Sequence, residues 1–356
     1  MNFSDCKNVL VIRPDNMGDL LMSSPAIRAL KNVSNGKITV LCSAKAAPVA
    51  GMIAEIDASI VFDLPWLKFE TSQNENLAAL IDCLKEKSFD ACVVFNVYSQ
   101  NPAPCLMLAY LAEIPLRAAY SKENLYGLLS HWLPDDEPFF TIRHQVERDL
   151  NLAGFLGGEI TNKQISIKEP SVAIQAQVMS DFELSPAGYF VLHAGVSEKK
   201  RQYPKSHWIQ IGNMLYEKYR LPIVLTGSKE ETEFNDSLAK QIAGKVLNLA
   251  GKLDLAGLAA IIKQAKCMVS VNTGPMHLAV AFQKPLIALY AQSNPQHKPY
   301  HTLHSVLEYS VPLTLQSSNQ IMRFVNDKLY QQFIPYPSPQ EVIDALDSVL
   351  REVSDQ

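Results

Sequence analysis

At 356 residues the chain is longer than one ordinary hydrophobic core supports, and it suits two domains. Hydrophobic residues make up 47% and charged residues 19%, a globular balance that excludes a disordered or low-complexity chain. A formal net charge of -4 supplies no overall attraction for nucleic acid, so any anion site has to come from a local gathering of cations.

In chain order, Asn8–Arg13 (NVLVIR) reads as a buried strand, the loop PDNMGD follows, and a helix with apolar residues at helical spacing begins at Leu20. Lys37–Cys42 is the next strand, Glu75–Lys87 a helix, Ala91–Val97 a strand and PCLMLAYLAEI another helix. His144–Gly158 (HQVERDLNLAGFLGG) is an amphipathic helix closed by paired glycines. This alternation implies a parallel sheet with crossover helices. A polar stretch from about Glu159 to Pro170 separates it from a second series: YFVLHAG, the helix HWIQIGNMLYEKY, PIVLTG, a helix from Glu231 to Ile242, KVLNLAG, LAGLAAIIKQA, CMVSVNTG, PMHLAVAF and PLIALYA. A proline-started helix, Pro337–Val353, ends the chain. The expected division is an N-terminal domain over 1–165, a C-terminal domain over 166–335 and a terminal helix over 336–356.

Ligands of open parallel sheets gather at the carboxyl ends of the strands, which directs attention to the loops after Arg13, His193, Thr226 and Val271. After the last of these, Asn272 or Thr273 can cap a helix whose first residues are Gly274 and Pro275, with His277 in its first turn. The free N–H groups there, with the positive end of the helix dipole, suit a phosphate. In GVSEKKRQYPKSHW, Lys199, Lys200, Arg201 and Lys205 place four cations in seven positions at another strand end, enough to neutralise a diphosphate. After PIVL, Gly227 allows a close turn and either Glu230 or Glu231 can accept hydrogen bonds from ribose hydroxyls, or simply favour a helix start. In the first half Asp19 either caps the following helix or presents a carboxylate able to take a proton from an attacking hydroxyl. No GxGxxG or GxxxxGK[ST] follows a strand, so neither a dinucleotide oxidoreductase nor a P-loop enzyme is supported.

Taken together, VLVIRPDNMGDLLMSSPAIRAL, HQVERDLNLAGFLG, HAGVSEKKRQYPKSHW, NLAGKLDLAGLAAIIKQAK and VNTGPMHLAVAF resemble glycosyltransferase family 9, the ADP-heptose:lipopolysaccharide heptosyltransferases, in order over residues 8 to 292. The resemblance implies an α/β GT-B fold, two Rossmann-like doubly wound domains facing across a cleft, with the acceptor on the N-terminal domain and the nucleotide sugar on the C-terminal one. It implies inverting transfer of heptose from ADP-heptose onto a lipopolysaccharide core or related glycolipid, with no metal and no tightly bound cofactor. Asp19 matches the family's proposed base, with Asn16 and Gly18 beside it on the acceptor side. Thr273, Gly274 and His277 match donor-binding positions together with Asn272, which is Asn where many members carry Asp. Arg201, then Lys200, match the cationic position, and Glu230 or Glu231 the acidic nucleotide contact. After Ala291 the chain lacks the cysteine-rich segment of many relatives.

Rival readings on the same scaffold are a transferase for another nucleotide sugar, a nucleotide-sugar epimerase or hydrolase, and a non-catalytic binder. The expected partners are a nucleotide sugar and a glycolipid at the inner membrane surface, not nucleic acid. The six cysteines, without metal spacing, and the absence of a leader-like run before Val9 point to reduced thiols in the cytoplasm. The longest apolar run, Cys105–Ala112, is too short to span a bilayer, so any membrane contact is peripheral, with LPWLKF (Leu64–Phe69) a candidate.

Overall fold

The computed structural model describes residues 2–67 and 76–354. They divide into two units, one reaching Lys168 and one starting at Glu169. The first unit runs β1 (Asn8–Ile12), α1 (Met17–Ser34), β2 (Lys37–Cys42), α2 (Ala47–Ala50), β3 (Ala58–Val61), α3 (Leu77–Glu86), β4 (Ala91–Val94), α4 (Ala103–Leu111), β5 (Leu116–Ser121), β6 (His131–Pro134) and α5 (Gln145–Phe155). Its strands form one parallel six-stranded sheet in the order β3-β2-β1-β4-β5-β6. The chain moves outward from β1 to β3, then crosses to β4 and moves the other way, so the switch in direction lies between β1 and β4.

Sequence explains the layering. The central strands are covered on both faces, and β1 and β4 are accordingly near-continuous apolar runs with every residue of β4 buried. The outer strands β3 and β6 alternate between half-buried and exposed, a pattern that carries little apolar signal. The expected loop over PDNMGD is shorter than read: α1 begins at Met17, so Asp19 lies in its first turn. Apolar periodicity begins only at Leu20, which hid that turn. Pro25 sits inside α1, yet Leu20, Leu21, Met22, Ala26, Ile27, Ala29 and Leu30 are all buried as the helix packs on α5. Burying several such chains at about 1.5–3 kcal/mol each outweighs the roughly 3 kcal/mol of an internal proline. Gly157, at φ +90°, closes the turn after α5 as the paired glycines suggest.

The second unit runs α6 (Val172–Asp181), β7 (Phe190–His193), α7 (Lys205–Tyr219), β8 (Ile223–Leu225), α8 (Thr232–Ala239), β9 (Val246–Asn248), α9 (Leu255–Gln264), β10 (Cys267–Val271), α10 (Gly274–Ala281), β11 (Leu286–Ala291), β12 (His304–Tyr309), α11 (Gln320–Leu329) and α12 (Pro339–Ser354). The parallel order is β12-β11-β10-β7-β8-β9, the same winding as in the first unit, with the switch between β7 and β10. The α/β class with two doubly wound Rossmann-like sheets is as expected. Helix α12 packs on α7, β11 and β12 within this unit. Its core gathers Tyr203, Trp208 and Tyr309, with the Tyr203 ring 5.5 Å from Trp208 and edge-on to it. Elements α2, β3, β5, β6, α6, β12 and α11 were not anticipated.

All six cysteines are free, and five of them are buried. Burial pushes the Cys42 thiol up to about 11 and Cys267 up to about 12, so these are packed thiols rather than thiolates. Among the described residues no helix is long and apolar enough to cross a membrane. Of the LPWLKF segment, Leu64 is buried core and Trp66 is 37% exposed, while Lys68 and Phe69 lie outside the described residues.

Candidate functional site

At the switch of the second unit, three loops leave the carboxyl ends of β7, β8 and β10. After β10, Thr273 is the extended cap residue of α10, and its hydroxyl donates to the Val271 carbonyl at 3.4 Å instead of capping the helix. Gly274 and Pro275 open the helix and His277 is buried in its first turn. The Asn272 side chain points the other way. Its Nδ2 donates to the Ala291 carbonyl at 3.3 Å and to Ser293 Oγ at 3.1 Å, while the Ala291 N–H donates to its Oδ1 at 3.3 Å. The amide thus ties β10 to β11, and only its backbone carbonyl faces the loop after β7. Arg201 Nη1 donates to that carbonyl at 3.0 Å, which brings a guanidinium to the foot of α10.

The loop after β7 is held by one tyrosine of its own and one from the end of β12. Tyr203 is fully buried and donates to the Pro337 carbonyl at 2.5 Å, and the Tyr309 hydroxyl donates to the Arg201 carbonyl at 2.6 Å. A one-turn 3-10 helix over Lys199–Arg201 then turns Lys200 and Arg201 onto Glu198, each at 2.6 Å, and leaves Lys199 exposed. After β8, Glu231 Oε2 accepts the Ser228 N–H at 2.7 Å. Its carboxyl carbon lies 2.1 Å from where a Cβ on Gly195 would stand, and Oε2 lies 2.7 Å from the same point on Gly227. Glycine at both positions admits the acid to the strand ends. Glu230, by contrast, is exposed, its carboxyl held down by its own backbone amide and Ser228. Of the two acids, the structure brings Glu231 to the loops.

His193 ends β7. It is buried with Nδ1 2.9 Å from Thr226 Oγ1, and burial lowers it to about 4, so the ring is neutral near pH 7.

The switch of the first unit has the opposite character. Arg13, at the end of β1, is fully buried, with Nη1 3.5 Å from Asp15 Oδ2 and Nη2 3.4 Å from Asp19 Oδ1. Asp19 is also the third residue of the capping box, its Oδ2 accepting the Asn16 N–H at 3.2 Å. The capping reading of Asp19 is thus realised through one oxygen, while the other oxygen meets Arg13. Asn16, exposed at the cap, and Gly18, buried in the first turn, sit beside it. Asp15 accepts from Gln100 Nε2 at 2.6 Å, and burial pushes its carboxyl up against the pull of Arg13.

Below this lies the HQVERD face of α5. Asp149 accepts from Ser23 Oγ at 2.7 Å and Gln145 Nε2 at 2.8 Å, and burial pushes it up to about 6. Arg148 donates to the Asn96 carbonyl at 2.8 Å, meets Asp135 and Glu137 at 2.8 and 2.5 Å, and lies 4.2 Å from the Tyr120 ring centre. Removing one partner from such a buried group costs about 3–5 kcal/mol, so this network fixes α5 against the sheet.

Sequence reasoning missed Arg13, Gln100, Asp149, His193 and Glu198. Arg13 carried a readable signal, a cation closing an otherwise apolar buried strand. Glu198 was submerged in a run read for its positive sum. Among the described residues no group of three or more His, Cys, Asp or Glu is placed to hold a metal ion.

Residues 77–320 match the model of glycosyltransferase family 9 (heptosyltransferase). The chain is 27% identical over 361 residues to lipopolysaccharide heptosyltransferase 2 of Salmonella typhimurium, covering 97% of this chain and 99% of that one. Among solved structures it is similar to a family 9 glycosyltransferase from Veillonella parvula, with TM-score 0.77, 19% identity and 97% of each chain covered. It is also similar to ADP-heptose lipopolysaccharide heptosyltransferase II of Escherichia coli, with TM-score 0.72, 23% identity, and 98% and 99% covered.

Proposed function

The chain belongs to glycosyltransferase family 9 and is a glycosyltransferase of the GT-B fold, and on that premise we propose that it moves heptose from ADP-heptose onto a lipopolysaccharide core with inversion. The donor is held by the second unit and the acceptor by the first. Arg201 and Lys200 meet the diphosphate together with the N–H groups that open α10 at Gly274 and His277. Glu231 accepts from the ribose hydroxyls. On the acceptor side Asp19 takes the proton.

One step accomplishes the transfer. An acceptor hydroxyl oxygen forms a bond to the anomeric carbon from the face opposite ADP. The bond from that carbon to the β-phosphate oxygen breaks, its electron pair leaves with ADP, and the hydroxyl proton passes to an Asp19 carboxylate oxygen. The charge growing on ADP is met by groups already in place, and a single such group is typically worth 10²–10³ in rate, on the order of the proton transfer itself. Nothing in this sequence calls on a cofactor that stays bound.

The observation that carries the reading is the hydrogen bond from Arg201 to the Asn272 carbonyl, which sets a cation at the start of α10 at a topological switch point. The acceptor being a glycolipid, the enzyme works at the inner membrane surface as a peripheral protein. Incubation with ADP-heptose and a heptose-deficient lipopolysaccharide core tests the reading, with transfer followed by mass spectrometry. A core heavier by one heptosyl group is the expected product. Free heptose or an epimerised donor without core modification would replace transfer by hydrolysis or epimerisation.

A further inference from the structure

Glu198 lies between the two cations assigned to the diphosphate, with Oε2 2.6 Å from Lys200 Nζ and Oε1 2.6 Å from Arg201 Nη2. Both carboxylate oxygens are thereby engaged. Arg201 has three donor nitrogens. Nη1 donates to the Asn272 carbonyl, Nη2 is on Glu198, and Nε is buried without a hydrogen bond. A phosphate taken in the bidentate manner needs two adjacent N–H groups, and Nη2 belongs to both such edges of the guanidinium, Nε with Nη2 and Nη1 with Nη2. Glu198, on Nη2, blocks half of either edge.

We infer that Glu198 is an internal counter-anion of the donor site, occupying the diphosphate's place on Lys200 and Arg201 until the nucleotide displaces it; this rests on the assignment of those two cations to the diphosphate. The carboxylate is free to leave, since its side chain is 42% exposed and regains water on release. The arginine is not free to follow it. Its guanidinium stays on Asn272 and its carbonyl stays under the Tyr309 hydroxyl. Glu198 therefore weakens nucleotide binding and, by returning after transfer, helps ADP depart.

Titration calorimetry with ADP on the full chain tests this. Glu198→Gln keeps shape and removes charge, and it binds ADP about tenfold more tightly than wild type, the sum expected of two partly exposed pairs. Glu198→Ala tightens in the same direction, and thermal melting confirms that each variant is folded. Glu198→Asp retains the charge and binds within about twofold of wild type. Unchanged or weaker binding in folded Glu198→Gln and Glu198→Ala overturns the inference, as does equal tightening in Glu198→Asp, which would assign the effect to shape. Arg201→Gln separates the two claims. If it binds ADP as wild type does, the diphosphate assignment fails. If it binds more weakly while Glu198→Gln does not bind more tightly, only the counter-anion role fails.

Discussion

At the carboxyl end of β1 one arginine lies among aspartates; at the carboxyl end of β7 one glutamate lies between a lysine and an arginine. The two sheets share a strand order, so topology supplies the same crevice twice and side-chain charge decides what each is for. The minority charge differs in burial. Arg13 is fully buried and its loss strands several acids away from water, whereas Glu198 is 42% exposed and can be exchanged for a ligand. On the proposed assignment, the corner that takes the proton has a fixed partner and the corner that takes the diphosphate has a removable one.

Four substitutions break or sharpen that contrast. The largest effect is expected from Asp19→Asn, which lowers kcat by about 10³ and leaves ADP affinity unchanged, because the amide keeps a capping oxygen but cannot take the proton. Wild-type turnover would remove the first corner from the chemistry. Arg201→Gln is expected to lower kcat/KM by about 10²–10³ and to weaken ADP binding, the reverse partition between binding and turnover. If ADP affinity held, the second corner would lose its assignment.

The third change probes burial rather than catalysis. Asp149 titrates at about 6 in the folded protein against an ordinary value near 4, so the fold binds this proton more tightly than the unfolded chain does. Its contribution to stability is highest below about pH 4, declines by about 3 kcal/mol as pH rises to about 6, and is flat above. Chemical denaturation across this range should show the decline in wild type and a flatter curve in Asp149→Asn. Identical slopes would mean that Asp149 is not the group that titrates. The smallest effect is expected from Gly195→Ala, whose methyl meets the Glu231 carboxyl and forces it aside, raising the donor KM by about tenfold with little change in kcat. An unchanged donor KM would show that Glu231 does not touch the nucleotide.

Legibility in the sequence followed burial. The strands β1, β4, β7, β10 and β11 were readable because both faces are covered and the run is unbroken. The outer strands β3 and β6, exposed at alternate positions, and the helix α6, opened by a Ser171 cap but largely exposed, were not. At the candidate site, the segments around Asp19, Arg201 and His277 were legible through their position at strand ends. Roles within them were less so. The two acids after β8 are neighbours in sequence, and only the 3-10 turn over Lys229–Glu231 separates an exposed Glu230 from a Glu231 packed on glycines. Asn272 reads as a donor-binding position, yet its amide is engaged by the next strand, a long-range partnership that no local window contains.

That amide couples position 272 to the end of the next strand. An aspartate in its place could accept from the Ala291 N–H but would donate nothing to Ala291 or Ser293, leaving a buried carbonyl and a carboxylate oxygen opposed. Grafting the turn alone from a relative with aspartate would loosen the ends of two adjacent strands. Carrying Asn272 together with Ala291 and Ser293 keeps these three hydrogen bonds intact.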